Sequence, residues 1–352
     1  MGFRYIGSKE KLANSIIDLI LQEVPSAKSF IDLMAGTGNF SLALRRRGFC
    51  VIASDVMTYS LHHLRVALLL NRYPYFNGLV GCLEGLTTNC STNYFTVLDF
   101  LNQLEGRCGY FFNEFSPNGN PINASKPRMY YTSDNAKKID AIRKQIKDWY
   151  NANLITDIEH SLLLHTLILD SNDIANIAGT YGHYLSHFVQ RSLSPLILKA
   201  CDIEQDTNTN HIVYCGYAEE VATKCKGDVC YIDPPYIKRQ YAANYHILET
   251  LAREDTPIAA GESGLRPWRD QYSNFCSKLK IRASFSKIIE NVDCSNIFIS
   301  YSEDGLLPLH DLLGFLSQFG ILKTFTISYK RFKSNNSVKA PLLTEYLIYL
   351  KK

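Results

Sequence analysis

The sequence contains no stretch approaching the roughly 18 consecutive apolar residues of a membrane-spanning helix. Its opening, Met1 to Ile17, carries charges where a secretory leader needs a continuous apolar run, so neither a bilayer span nor a leader is expected. No two of the ten cysteines stand in C-x-x-C spacing, which argues against a zinc site and a disulfide framework. A Met-Gly start is shared with myristoylated proteins, but Ile6 stands where that pattern requires Ser or Thr. Internal repeats and low-complexity tracts are missing as well. Charge of one sign is also scarce: 37 Lys and Arg against 34 Asp and Glu leave a net charge of +3, so any basic surface must be local. The expectation is a cytoplasmic, soluble protein with reduced cysteines, no metal and no membrane partner.

What is present is enough apolar content, 46% of 352 residues, to bury the cores of two domains. After Ser8, a candidate cap, Leu12, Ile16, Leu19 and Ile20 recur at helical spacing and stop before Pro25. The apolar run Ser29 to Met34 then enters the tight turn Ala35-Gly36-Thr37-Gly38, and a second strand, Cys50 to Ser54, leads to Asp55. Leu61 to Asn71 reads as helix. Strand, glycine turn, helix, strand, acid is the opening of a doubly wound α/β sheet. From about 72 to 204 the pattern changes to helical runs at Ala136 to Trp149 and Ile158 to Leu169, with an aromatic, Asn-rich loop from Tyr110 to Tyr131. Strand signals resume at Asp228 to Ile232, Asn296 to Ser300, Lys323 to Tyr329 and Thr344 to Leu350. The expected architecture is a sheet domain formed by residues 1–71 and 205–352, split by a mostly helical insertion at 72–204.

Three elements carry chemistry. The strongest is Asp233-Pro234-Pro235-Tyr236, directly after an apolar strand. Open α/β sheets hold their ligands at strand ends. A carboxylate and the carbonyl of Pro234 are two acceptors that suit an exocyclic amine whose lone pair is otherwise delocalised into a base. The two prolines fix the backbone that presents these acceptors, and Tyr236 can stack on a base taken out of its helix. A Pro-Pro turn with a core tyrosine is the plainer reading of the tetrapeptide. The second element is Asp32 to Gly38, where Ala35, Gly36 and Gly38 permit close backbone approach and Asp55 can accept from ribose hydroxyls. A dinucleotide would suit such a turn too, but no third glycine follows: Asn39-Phe40-Ser41 stands there. The third is Arg4 to Lys9, where Gly7 and a helix N-terminus suit a carboxylate, Lys9 adds charge and Tyr5 can pack on a ligand; a simple capping motif reads the same way.

With these elements in this order, the chain resembles the D12 class, Dam-like adenine-specific DNA methyltransferases, and within it the modification methylases of Type II restriction systems of the FokI and NlaIII kind. The segments Lys137 to Arg143, Ala175 to Gly182, Gln240 to Thr250, Ser300 to Gly305 and Tyr329 to Lys333 share the likeness, which runs from Arg4 to about Lys333. The resemblance implies a Rossmann-like methyltransferase sheet and S-adenosyl-L-methionine as cofactor. It implies that Tyr5, Lys9, Asp55 and Asp233 hold this cofactor, with the Asp32 to Gly38 turn around its methionine moiety and Tyr217, in Tyr214 to Ala218, beside its adenine. It gives the insertion the role of target recognition. Two positions depart from the family pattern: Met34-Ala35 precedes Gly36 where Phe or Pro is frequent, and Ser8 replaces a frequent glycine.

The implied partner is duplex DNA, with a cognate restriction endonuclease acting on the same site without a stable complex. Candidate DNA contacts are Lys126, Arg128, Lys137, Tyr181, Arg191, Lys238, Arg239, Lys330 and Arg331. Seven Lys or Arg lie between Lys126 and Lys147 against Asp134 and Asp140, which is either a basic footprint or an ordinary solvated helix face. The competing functions are an RNA adenine methyltransferase, which would use the same pocket, and a DNA binder without catalysis, which would be free to lose Asp233, Pro234, Tyr236 and Lys9. A protein-glutamine methyltransferase would carry Asn in place of Asp233.

Overall fold

The computed structural model describes residues 9–205, 210–330 and 342–352. Its strands are β1 (Ser29–Asp32), β2 (Cys50–Asp55), β3 (Ile212–Cys215), β4 (Val229–Ile232), β5 (Asn296–Ser302), β6 (Ile321–Lys330) and β7 (Leu342–Lys351). Its helices are α1 (Ala13–Glu23), α2 (Asn39–Arg46), α3 (Thr58–Leu69), α4 (Asn93–Gln103), α5 (Tyr110–Phe115), α6 (Ser133–Asn151), α7 (Asp157–Asp173), α8 (Ala218–Val221), α9 (Tyr241–Asn244), α10 (His246–Arg253), α11 (Ile281–Asn291) and α12 (Leu309–Leu316). Among the described residues no helix is long and apolar enough to cross a membrane. The described residues divide into two compact units, one of residues 9–64, 210–241, 271–330 and 342–352, the other of residues 65–205 and 242–270.

The first unit is built on a seven-stranded sheet in the order β3-β2-β1-β4-β5-β7-β6. Strands β1 to β5 are parallel, whereas β7 lies antiparallel between β5 and β6. Parallel strands covered on both faces read as unbroken apolar runs, and Val229, Cys230, Tyr231 and Ile232 of β4 are accordingly all buried. Ile31, Cys230, Ile232, Ile297, Ile299 and Ile348 point into one core layer with α8, α11 and α12. On the opposite face Phe40 of α2 stacks on Tyr231 at 4.0 Å and Phe49 tilts against Phe30 at 4.7 Å. Strand order reverses between β1 and β4: β2 and β3 follow on one side, β5 on the other. Such a reversal opens a crevice at the carboxyl ends of the two central strands.

The second unit is mainly helical. Thr132 caps α6 by accepting from Asn135 N–H, and Thr156 and Glu159 form a capping box on α7. Asp140 of α6 accepts from the N–H groups of Gly109, Phe111 and Phe112, so its carboxylate satisfies the open donors at the start of α5. That bond set explains why Tyr110 to Phe115, read from the sequence as the start of a loop, is helical.

The division differs from the expected domain boundaries at two places: residues 65–71 fall in the helical unit, and so does a later segment. Residues 242–270 join the helical unit instead of the sheet unit, because the carbonyls of Thr250, Asp255 and Glu254 receive Arg143 and Lys147 of α6, and Gly261 receives Arg128. Those bonds also correct the reading of the basic run. Arg128 is fully buried and ion-paired with Glu114, Lys138 donates to the carbonyls of Asn102 and Leu104, and Lys144 pairs with Asp148.

Candidate active site

The site grows from the carboxyl edge of the sheet. Beyond β1 the chain turns through Ala35, whose N–H donates to Ser54 O at 2.9 Å, and through Gly36 and Gly38 at φ +54° and +80°. A side chain would be strained at both positions. Asp55, which ends β2, clamps this turn: one carboxylate oxygen accepts from Gly36 N–H and the other from Met57 N–H, each at 2.9 Å. The carbonyl of Asp55 receives Gly216 N–H at 3.0 Å, which brings Tyr217, at the start of α8, to the same edge. Asp32, Ala35, Gly36, Gly38, Asp55 and Tyr217 therefore follow the ends of three adjacent strands.

Asp32, the last residue of β1, is almost fully buried. One of its oxygens accepts from Ser41 Oγ at 2.6 Å, and the other has no partner. Burial, together with the charges of Asp233 and Asp55, pushes its carboxyl up to about 7. An orphaned, buried carboxylate oxygen beside a glycine turn is an acceptor waiting for a donor. S-adenosyl-L-methionine is cationic at its amine and sulfonium, and carries ribose hydroxyls. The edge provides Asp32, Asp55 and two glycines that let backbone approach, so these residues fit that group.

At the end of β4, Asp233 meets Lys9, which lies four positions before the first residue of α1. The Lys9 ammonium lies 3.2 Å from the Asp233 carboxylate and 2.8 Å from that of Glu345, and 5.3 Å from the centroid of the Tyr236 ring. Burial lowers the Lys9 pKa, but the opposing charges of Asp233, Tyr236 and Glu345 outweigh it and hold the ammonium well above its usual range. Burial raises Asp233 and Glu345 as well, with Lys9 offsetting part of the shift; Glu345 reaches about 7. Tyr236 is half-buried, edge-on to Tyr301 at 6.0 Å, and its carbonyl receives Leu306 N–H at 2.9 Å. The Asp233-Pro234-Pro235-Tyr236 segment is thus held at both ends, by Lys9 and by the loop after β5.

Lys9, Asp32, Asp55, Asp233 and Tyr236 all lie in the sheet unit. Tyr5, Gly7 and Arg331 lie outside the described residues, and Lys330 is the last residue of β6. Three expected DNA contacts are committed to the fold instead. Arg128 is fully buried against Glu114 and Gly261. Tyr181 is fully buried, donating to Asn172 Oδ1 at 2.9 Å. Arg191 holds the carbonyls of Asp173 and Ile177. Lys126, Lys238 and Arg239 are exposed, and Lys137 is half-buried with its ammonium 5.1 Å from the Phe112 ring. Glu345 was missed by sequence reasoning. A single acid inside the apolar β7 run was the available signal.

Comparison with known proteins agrees with this geometry. The family model described as D12 class N6 adenine-specific DNA methyltransferase matches residues 5–306. Type II methyltransferase M.FokI of Planomicrobium okeanokoites is 35% identical over 99% of this chain and 52% of its own length. Modification methylase StsI of Streptococcus sanguinis is 32% identical over 99% of this chain and 52% of its own. The chain spans about half the length of these two relatives, but M.NlaIII of Neisseria lactamica, also a Type II methyltransferase, is 33% identical over 99% of both chains. A solved magnesium protoporphyrin IX methyltransferase from Synechocystis with bound SAM aligns with 97% of this chain and 79% of its own at a TM-score of 0.33 and 7% identity, too slight a likeness to carry an argument. A family match across most of the sequence, together with a relative matched end to end, means that this chain belongs to the D12 class N6 adenine-specific DNA methyltransferases.

Proposed function

We propose that this protein transfers the methyl group of S-adenosyl-L-methionine to N6 of adenine at a specific site in duplex DNA, as the modification arm of a Type II restriction-modification system working in the cytoplasm. The observation that carries the reading is the acceptor pair Asp233 and Pro234 at the end of β4, beside the β1/β4 reversal and charge-balanced by Lys9. The printed names of M.FokI and M.NlaIII, Type II methyltransferases both, support the restriction-modification setting.

The cofactor, when bound, supplies an electrophilic methyl group on a sulfonium. Gly36 and Gly38 would admit it to the backbone, Asp55 would accept from its ribose, and Asp32 would offer its unpartnered oxygen to the amine. Tyr236 stacks on the extruded adenine. Asp233 and the carbonyl of Pro234 each accept an N6 hydrogen, which localises the nitrogen lone pair and aims it at the methyl carbon. Asp233 would take up, along its hydrogen bond, the one proton that the amine sheds on accepting the methyl group, the sulfonium then departing as a neutral thioether. Lys9 keeps that carboxylate in place during the step. The helical unit, with 72–204 as its main part, sets sequence preference.

Incubating the protein with radiolabelled cofactor and duplex DNA, RNA or protein tests the reading. Label is expected in duplex DNA, as N6-methyladenine within one sequence motif, and Asp233→Ala should lower turnover by about 100- to 1,000-fold with DNA binding retained. Near wild-type methylation by that variant, or label only in RNA, would overturn the assignment.

A further inference from the structure

Strand polarity brings Glu345 into the site. Because β7 runs antiparallel to β5, its first residues lie beside the carboxyl end of β5, and Glu345 pairs across the ladder with Ser302 on one side and Ile327 on the other. The Glu345 side chain is fully buried, and it approaches the Lys9 ammonium more closely than Asp233 does, at 2.8 Å against 3.2 Å. One buried ammonium therefore serves two carboxylates, Glu345 fully buried and Asp233 partly exposed. The charged and titratable groups around this cluster are Lys9 and Asp233 in direct contact, Tyr231 and Tyr236 beside Lys9, and Asp32 beside Asp233. How strongly Asp233 accepts from an amine depends on how much of the Lys9 charge rests on it.

We infer that Glu345 is a positioning residue for methyl transfer, anchoring Lys9 and sharing its charge so that Asp233 remains free to accept from the substrate amine. The inference rests on the transfer activity proposed above. Glu345→Gln keeps the side chain's shape and removes its charge. Lys9 then bears on Asp233 alone, and loss of a neighbouring negative charge lowers the Asp233 pKa. In single-turnover assays on duplex DNA the variant should transfer methyl about 10- to 100-fold more slowly, with the acid limb of the rate moved to lower pH. Cofactor affinity, read by calorimetry, should stay within about threefold.

Melting of the ligand-free protein supplies a readout without activity. Burial raises the Glu345 carboxyl from 4.5 to about 7, so its contribution to stability is fully present below pH 4.5 and is lost as pH rises through 7. The Gln variant should lose less stability across that window than the wild type. Glu345→Asp keeps the charge but withdraws it by one methylene; it should fall between wild type and Gln in rate and acid limb, and it serves alone if Gln does not fold. A folded Gln variant with wild-type rate and acid limb, or an Asp variant indistinguishable from wild type, overturns the inference. A uniform drop in melting temperature with neither pH readout moved overturns it too, since that is all a structural glutamate would show. Wild-type protein that methylates no DNA overturns the proposed function with it, whereas an active wild type beside an unaltered variant overturns this inference alone.

Discussion

Asp55 does two things with one carboxylate, and its removal should be visible in both. It clamps Gly36 and Met57 in the free protein and is proposed to accept from the cofactor ribose. Asp55→Ala should therefore weaken cofactor binding by about 1.5 to 3 kcal/mol and also lower the melting temperature; calorimetry beside thermal melting checks both, and unchanged affinity would leave Asp55 a purely structural role. Asp32 gives a sharper test because two effects oppose each other. With its carboxyl raised from 3.8 to about 7, its stability contribution is present below pH 3.8 and lost as pH rises through 7, a loss of about 4 kcal/mol at most. Asp32→Asn escapes that loss but buries an unmatched amide N–H at about 1 to 3 kcal/mol. The variant should thus be more stable than wild type above pH 7 and less stable below pH 3.8, and a melting series that shows no crossing would reject the argument. Asp32, the glycines and Asp233 were legible in the sequence because turn chemistry and strand ends are local. Glu345 was not, because an acid within Leu342 to Lys351 reads as an outward-facing strand residue, and its partner Lys9 stands at the other end of the sequence.

Helix α6 shows how composition misleads at the scale of an element. Its lysines and arginines fitted either a footprint for phosphate or a solvated face, yet Lys138 caps the carbonyl end of α4, Arg143 is buried on the carbonyls of Thr250 and Asp255, and Lys147 donates to Glu254 O. Charge counting cannot see carbonyl partners supplied by distant segments. Lys138→Met should lower stability by about 1 kcal/mol, since it uncaps α4, while leaving the salt dependence of DNA binding unaltered. Neutralising the exposed Lys126 together with Lys137, whose ammonium donates to no carbonyl among the described residues, should instead flatten that dependence by up to about two units of log-log slope. Binding titrations over a range of salt concentration, beside denaturant melts, separate the two cases; a flattened slope from Lys138→Met would restore the footprint reading.

At the scale of the whole molecule, the interruption of the sheet pattern near residue 72 was legible, because helical periodicity replaced β-branched alternation. The membership of 242–270 was not, because that segment comes soon after Tyr236 in sequence and owes its place to bonds with residues more than a hundred positions earlier, such as Arg143 with Thr250 and Tyr130 with Ser263. A chimera that imports 72–204 alone from a related methylase should consequently fold poorly, whereas one that imports both segments should fold and methylate the donor's site. Sequencing of modified adenines reads the outcome, and a well-folded double import that keeps the parental site would move recognition out of this unit. The position of β7 carries one more consequence. Of the seven strands it is the last to be translated, yet it lies between two others and supplies Glu345. At about 5 to 20 residues per second, β7 leaves the ribosome on the order of 15 to 60 s after β1. Until then the nascent chain holds the glycine turn and Asp233 without the neighbour that anchors Lys9, so competence arises late in translation, and a message cut short upstream of β7 would yield a chain with an unpaired β5 edge and an incomplete charge cluster.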